Sequence, residues 1–346
     1  MKILTALITT SVMALLLVAC GNYTNRTEAT SSEVVQGLAN GTGEETTIEA
    51  ATEKTTTKVI VPTATFAEPA AEDFEYTYDT VLGGVIITKY NGDAKAICIP
   101  AKIGGDPVKQ VEISNNIVIE QVELPDSVTS IGYSAFEGCS SLTSVIIPDS
   151  VTEIRSFAFS GCISLRNLTI PDKVTVIGYS AFVNCDSLTE ITLPESVVDI
   201  SDDAFRDCSS LTSVIIPNSV TSIGDRAFKG CSSLTNVTIP DGVTEIGYGT
   251  FCNCSSLINI IIPNSVTSIC DSAFKGCSSL TSVTIPDSVT EIGSFAFSGC
   301  INLRNLTIPD NVASIDSGVF SSCNDLTVTY NGQEYNYASD TNWWAQ

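Results

Sequence analysis

Cysteine is the residue type whose number and spacing in this chain could do chemistry. Nine cysteines recur every 23 residues, at Cys139, Cys162, Cys185, Cys208, Cys231, Cys254, Cys277, Cys300 and Cys323. Such a set could form disulfides or bind zinc. One cysteine per structural repeat would instead stack in a line, with parallel Cβ vectors and no tetrahedral convergence, and an odd number leaves one unpaired. We therefore predict free thiols that are buried as small hydrophobic groups.

The remaining signals for catalysis or metal binding are weak. The chain has no histidine, which removes the most common general base and zinc ligand. An acidic row follows the periodic prolines and could bind calcium, but it mixes Asp, Glu and Asn, which fits turn formation better. The repeated units place like groups in parallel, whereas catalysis needs unlike groups that converge. We predict that the protein is not an enzyme and holds no metal ion or cofactor.

Three cysteines lie off this ladder within the repeat region. Cys98 alternates with Ile97 and Ile99 and is therefore expected to face outward. Cys252 and Cys270 are isolated substitutions in their units. A disulfide between these two is conceivable, but their spacing gives it no particular support, and free thiols are expected.

The charge of the chain limits its partners. Its formal net charge is −23, from 39 acidic against 16 basic residues. This charge repels the phosphate backbone, so we expect no nucleic-acid partner. It also disfavours binding to anionic lipid by charge alone.

The N-terminus has the pattern of a processing signal. Lys2 precedes an apolar run from Ile3 to Val18, and Leu17-Val18-Ala19-Cys20-Gly21 follows at its end. This segment resembles the lipobox of bacterial lipoproteins, in which the cysteine is lipidated and becomes the first mature residue. The alternative is an uncleaved membrane anchor, but the run is short for a span of about 20 residues. We predict a lipoprotein signal peptide over 1–19, lipidation of Cys20, and a membrane attachment through that lipid on the extracellular face.

Two further segments precede the regular part of the chain. Residues 20–73 are rich in Thr, Ala and Glu without an apolar period, which predicts a disordered stalk. Residues 74–124 begin with two alternating stretches around Gly83-Gly84, which predict a β-hairpin. We interpret 74–124 as an N-terminal cap followed by degenerate repeats.

Proline, phenylalanine and cysteine then share the 23-residue period over residues 125–325. The prolines are Pro125, Pro148, Pro171, Pro194, Pro217, Pro240, Pro263, Pro286 and Pro309. The phenylalanines are Phe136, Phe159, Phe182, Phe205, Phe228, Phe251, Phe274, Phe297 and Phe320. Residues 326–346 depart from the period and hold an aromatic group that we expect to cap the last repeat: Tyr330, Tyr335, Tyr337, Trp343 and Trp344.

The pattern within one repeat predicts how it folds. Val145 and Ile147 lie on one face of a strand, Pro148 ends that strand, and Val151 and Ile154 turn inward on the second side of a coil. A single unit cannot bury these side chains, but stacked units can. We predict a β-rich repeat solenoid with one continuous parallel sheet and short helical turns.

The repeat resembles the leucine-rich repeats of BspA-like bacterial surface proteins. The resemblance lies in Leu142-x-x-Val145-x-Ile147-Pro148, Val151-x-x-Ile154 and Ala158-Phe159-x-x-Cys162-x-x-Leu165, and it covers about residues 94 to 330. It implies a right-handed superhelix on a cell surface that serves in binding or adhesion. It implies no common ligand and no catalytic residues.

The outward positions of the predicted sheet, here called the sheet face, form the candidate ligand surface. Its candidate residues are Arg166, Asn167, Thr169, Glu190, Thr192, Asn236, Thr238, Asn259, Arg304, Asn305 and Thr307. The sheet face is nearly neutral and has no aromatic ring on which a sugar could stack, so it suits a protein partner on a host or neighbouring cell. The alternatives are a structural spacer or surface coat without a specific ligand, and a glycan-binding protein.

Arginine supplies the only positive charges on the sheet face. Arg166 and Arg304 are its two basic residues and the expected polar anchors for a partner. Arg226 and Lys229 lie away from the sheet face, and their replacement is expected to have little effect on binding.

The lipidation hypothesis predicts the behaviour of a Cys20→Ala variant. Because alanine cannot be acylated, the protein should appear in the medium or accumulate as an unprocessed precursor. Fractionation with immunoblotting measures this directly. A variant that is cleaved and stays in the membrane fraction like the original protein contradicts lipidation at Cys20.

Overall fold

The computed structural model describes residues 66–336, which all belong to one compact unit. The predicted signal peptide, Cys20, most of the predicted stalk, and Tyr337, Trp343 and Trp344 lie outside the described residues. Within 66–336 the only helix is a 3-10 turn at Ala71–Asp73, so none there is long and apolar enough to span a membrane.

Short strands make up the rest of the regular structure. In chain order they are β1 (Phe74–Asp79), β2 (Gly84–Tyr90), β3 (Ala96–Cys98), β4 (Lys102–Ile103), β5 (Asp106–Val111), β6 (Gln121–Glu123), β7 (Ser130–Ile131), β8 (Ser144–Ile146), β9 (Glu153–Ile154), β10 (Val176–Ile177), β11 (Glu190–Thr192), β12 (Asp199–Ile200), β13 (Ser213–Ile215), β14 (Ser222–Ile223), β15 (Asn236–Thr238), β16 (Glu245–Ile246), β17 (Asn259–Ile261), β18 (Ser268–Ile269), β19 (Ser282–Val283), β20 (Glu291–Ile292), β21 (Asn305–Thr307), β22 (Ser314–Ile315), β23 (Thr327–Tyr330) and β24 (Gln333–Asn336).

The fold is the predicted solenoid, with about 11 turns. Most turns contribute one strand to each of two parallel stacks. The front stack holds β3, β6 and β8, then β11, β13, β15, β17 and β19, then β21 and β23. The back stack runs from β2 and β5 through β7, β9, β10, β12 and β14, and continues as β16, β18, β20 and β22.

The strands therefore form two interrupted stacks rather than one continuous sheet. Each front strand in the regular repeats has two or three residues and each back strand has two, so a small change in geometry is enough to end a ladder. In the front stack the coil of Asn167 keeps only an isolated bridge to Ser144. The prediction of a second inward-facing side at Val151 and Ile154 is correct, but its strand pairing was not foreseen.

The short helical turns predicted from the sequence are absent from residues 66–336. A non-helical segment follows each back strand instead and is here called the corner; residues 132–138 are one corner. Its backbone N–H groups bond to the adjacent coil: Phe159 N donates to Ala181 O at 2.8 Å, and Phe182 N donates to Ala204 O at 2.8 Å. An α-helix needs the same N–H groups for bonds within the segment. Alternate N–H groups are used between coils and those between them close turns within the segment, so the corner is a run of turns and not a helix.

Stacked phenylalanine rings fill the centre of the solenoid. The nine periodic rings are at most 1% exposed, and consecutive centroids lie 5.1–6.0 Å apart with interplanar angles of 20° or less. The offset, near-parallel arrangement suits the quadrupole of an aromatic ring. Val, Ile and Leu from the two strand stacks surround this column and complete one continuous core.

The periodic cysteines are buried free thiols, as predicted. Each Sγ donates to a backbone carbonyl 26 residues earlier at 3.0–3.3 Å; for the first thiol, Cys139, this is Ile113 O, and for the others it is a periodic phenylalanine. Each thiol thus links two coils by a hydrogen bond to a carbonyl and not by a disulfide. Cys252 and Cys270 are also free.

Hairpins lie at both ends of the described chain. At the N-terminal end β1 pairs antiparallel with β2, and Ala67, within the segment assigned to the stalk, bridges to Ile97. Cys98 is buried beside this bridge, so the expectation that it faces outward is wrong. At the C-terminal end β23 pairs antiparallel with β24, and the Tyr330 hydroxyl donates to Val312 O at 3.1 Å.

The thiol ladder predicts a loss of stability at alkaline pH. Burial raises the pKa of the Cys139 and Cys323 thiols to about 11, from an ordinary value of 9.0. Above about pH 9 an unfolded thiol ionises while the folded one stays protonated, so the free energy of unfolding should fall by up to about 1.4 kcal/mol per thiol and pH unit. Urea unfolding between pH 8 and 11 should show a smaller fall for the Cys139→Ala/Cys323→Ala variant. An identical pH dependence in both proteins contradicts the prediction.

Candidate binding surface

The eleven predicted residues of the sheet face are all exposed to solvent. They lie on the front coils because outward and inward side chains alternate along each strand. In β15, for example, Asn236 and Thr238 are exposed while Val237 between them is buried. Parallel pairing aligns equivalent positions, so that Asn236 lies opposite Asn259 and Thr238 lies opposite Ile261.

The structure separates the predicted residues into groups. Glu190 and Thr192 in β11 continue through β13 to Asn236, Thr238 and Asn259 in one five-stranded sheet. Arg166, Asn167 and Thr169 lie in the coil before it, where the ladder is interrupted. Arg304, Asn305 and Thr307 lie at the far end, in and next to β21. The sheet face is therefore an elongated surface and not one convergent site.

Threonine side chains next to the strands are occupied by contacts between coils. Thr212 Oγ1 donates to Thr189 O at 2.9 Å, and Thr235 Oγ1 donates to Thr212 O at 3.3 Å. These hydroxyls support the backbone stack. The asparagine and threonine side chains within the strands remain the better candidates for contacts with a ligand.

Exposed isoleucines are a feature of the sheet face that the eleven predicted residues do not include. Ile215 and Ile261 are 62% and 63% exposed, at positions where neighbouring coils carry threonine. Ile215 also borders a shallow depression of about 190 Å³ together with Asn236 and Thr238. The departure from threonine at these outward positions was the available sequence signal. Together these residues give the sheet face both apolar and hydrogen-bonding groups.

The two arginines of the sheet face differ in their surroundings. Arg304 Nη1 lies 3.0 Å from Asp325 Oδ2 and also donates to Ile301 O at 3.0 Å. Arg166 is exposed and makes no ion pair among residues 66–336. Arg166 is thus the better candidate for binding an acidic group of a partner.

The corner residue Arg226 is not the neutral position that the sequence suggested. Its Nη2 donates to Asp203 Oδ2 at 3.0 Å, and the Asp203 side chain is only 3% exposed. Arg206 Nη1 lies 3.5 Å from the other Asp203 oxygen. Arg226 therefore stabilises a buried carboxylate, which makes it unsuitable as the control position in a binding experiment.

No group of three or more Cys, Asp or Glu side chains among residues 66–336 is placed to hold a metal ion. Burial raises the pKa of the Cys139, Cys162 and Cys254 thiols, which disfavours the thiolate needed for a nucleophile or metal ligand.

Comparison with known families identifies the repeat. The model of the BspA type leucine-rich repeat region matches residues 112–216 and 198–327, which is more than half of the chain. The chain belongs to this family. Its solenoid is typically a non-enzymatic scaffold, and no catalytic family was found.

The same architecture occurs in a solved structure, and a second solved protein is similar in sequence. A leucine-rich repeat protein from Bacteroides ovatus is 30% identical, with a TM-score of 0.68 over 75% of this chain and 70% of that chain. A leucine-rich cell surface protein from Faecalibacterium prausnitzii is 28% identical over 75% of this chain and 94% of that chain, with a TM-score of 0.39. No curated protein matches this chain.

The contact between Arg226 and Asp203 predicts different effects for two basic residues. Arg226→Ser removes a hydrogen bond from a buried carboxylate and should lower the free energy of unfolding by about 1–3 kcal/mol. Lys173→Ser changes an exposed side chain and should lower it by no more than about 0.5 kcal/mol. Urea unfolding of both variants measures the difference. Equal stability of the two variants contradicts a structural role for Arg226.

Proposed function

We propose that this protein is a lipid-anchored bacterial cell-surface protein that binds a protein partner through its sheet face. The observation that carries the proposal is the sheet face itself: an elongated, exposed row of Asn, Thr and Ile side chains on a rigid repeat scaffold. Solenoids commonly use such extended repeat surfaces for binding. Membership of the BspA-type family supports a location on the cell surface.

The chemistry of the sheet face favours a protein over other partners. Its exposed isoleucines offer apolar contacts, and Asn236 and Asn259 offer donors and acceptors beside them. Protein interfaces combine these features, with a few residues that carry most of the binding energy. An extended glycan would require stacking rings, and the front strands in the five-stranded sheet carry none.

The lipid anchor rests on the sequence pattern around Cys20. Two or more acyl chains give stable membrane attachment, whereas a single chain gives only marginal binding. In this proposal the segment between Cys20 and the first coil carries the solenoid away from the membrane, so that its sheet face is accessible to another cell.

Replacement of the sheet-face arginines should weaken binding without unfolding the protein. The Arg166→Ser/Arg304→Ser variant should bind target cells at least about tenfold more weakly, because it removes both arginines of the sheet face. The Lys173→Ser/Lys275→Ser variant makes the same change in net charge away from the sheet face and should bind like the original protein. Flow cytometry with fluorescent protein on host and neighbouring bacterial cells measures both.

Treatment of the target cells distinguishes the candidate functions. Protease treatment of the cells should abolish the binding that depends on Arg166 and Arg304, whereas periodate oxidation of their glycans should leave that binding unchanged. If the arginine-dependent binding survives protease but not periodate, the sheet face binds a glycan. Absence of binding to every cell type indicates a spacer or coat protein, and either result contradicts the proposal.

A further inference from the structure

Three aromatic side chains lie together on the corners of successive coils, away from the sheet face. They are Tyr133, Phe157 and Tyr179, here called the aromatic cluster. Tyr133 and Tyr179 are 59% and 42% exposed and occupy the same position of alternate coils, with Phe157 in the coil between them. The rings of Phe157 and Tyr179 meet edge to face, with centroids 5.2 Å apart.

One ion pair accompanies the aromatic cluster. The Arg155 guanidinium carbon lies 5.4 Å from the centroid of the Tyr133 ring, and Arg155 Nε donates to Glu153 Oε2 at 2.8 Å. The positive charge of Arg155 is thus matched by a carboxylate. The aromatic cluster therefore combines exposed rings with hydrogen-bonding groups and carries little net charge.

The fold does not explain why these residues are present. Phe157 adopts a left-handed backbone conformation with a φ of 60°, which is unfavourable for a bulky side chain. Other coils place Ser134, Ser180 or Gly249 at this position. Phe157 contributes to neither the central phenylalanine column nor the rest of the buried core. Phe295 is the only other phenylalanine at this position among the described coils, so the feature that sets Phe157 apart is its ring contact with Tyr179.

We infer that the aromatic cluster binds an uncharged, linear polysaccharide of the extended β-1,4-linked type. The apolar C–H face of a pyranose ring packs on an aromatic face, and the tyrosine hydroxyls add hydrogen bonds. Every second sugar of such a chain presents the same face. Tyr133 and Tyr179 repeat every second coil, a separation of about 10 Å along the stack, so one straight chain reaches both rings.

The shape and charge of the aromatic cluster favour this ligand over a protein. Three rings in a narrow row offer far less area than the roughly 800 Å² per partner of a stable protein interface. The pairing of Arg155 with Glu153 leaves no unmatched cation in the aromatic cluster for an acidic polymer. This site is separate from the sheet face, so it stands independently of the proposed protein partner.

The chain contains its own control for the aromatic cluster. Residues 287–310 repeat 149–172 almost unchanged, and Phe295 is the equivalent of Phe157 with the same left-handed conformation. Asp271 and Ser317 stand beside Phe295 where Tyr133 and Tyr179 stand beside Phe157. Phe295 is therefore a single exposed ring without a second stacking position two coils away.

Affinity electrophoresis of the full chain tests the inference. Gels containing hydroxyethyl cellulose, a soluble β-1,4-glucan, should retard the protein, and calorimetry with cellohexaose should give its affinity. The Tyr133→Ala/Tyr179→Ala variant should bind at least about tenfold more weakly. Phe157→Ser should also bind more weakly, whereas Phe295→Ser should bind like the original protein. Serine already occupies the Phe157 position in other coils, so both serine variants should fold. The comparison of Phe157→Ser with Phe295→Ser therefore remains valid if the double tyrosine variant unfolds.

Three results would overturn the inference. The first is that neither the glucan gel nor cellohexaose binds the original protein. The second is equal binding by the original protein and the Phe157→Ser variant. The third is stronger retardation by the charged polymer polygalacturonate than by the neutral glucan.

Discussion

The contact between successive coils through the central phenylalanine column is the interaction on which the rest of the structure depends. No single coil encloses its own phenylalanine. Each ring is buried because the rings of the neighbouring coils lie with their centroids 5.1–6.0 Å away, and the first and last rings have one such neighbour. The thiol-to-carbonyl hydrogen bonds reinforce the same contact at the turn beside the column. Stability is therefore shared between neighbours, as expected for a repeat protein.

This core restricts where function can arise. The inward positions must repeat closely, because a side chain of different size would disturb the coils on both sides. Outward positions on the front strands and corners carry no such restriction. Ile215 and Ile261 on the sheet face and Phe157 on a corner are departures from the repeat at such positions. Differences between units, and not the shared motif, therefore indicate the binding surfaces.

The sequence was sufficient for the features that repeat. The period of Phe136 and Cys139 predicted the stacked core and the free thiols, and alternation predicted that Asn236 faces solvent. The sequence was insufficient to predict the contacts that form between neighbouring coils. The back strands of the regular repeats have only two residues, too few for a periodic signal, and the Arg226 contact with Asp203 joins residues 23 apart. The recurrence of tyrosine at 133 and 179 was visible, but its meaning required the alignment of alternate coils.

The central claim is that a protein partner contacts the front strands. Site-specific photo-crosslinking tests this most directly, with a photoreactive amino acid at Asn236 on the sheet face or at Lys173 away from it. The account predicts a covalent adduct with a protein of the target cell from position 236 and none from position 173. Adducts only from position 173, or equal adducts from both positions, would contradict it.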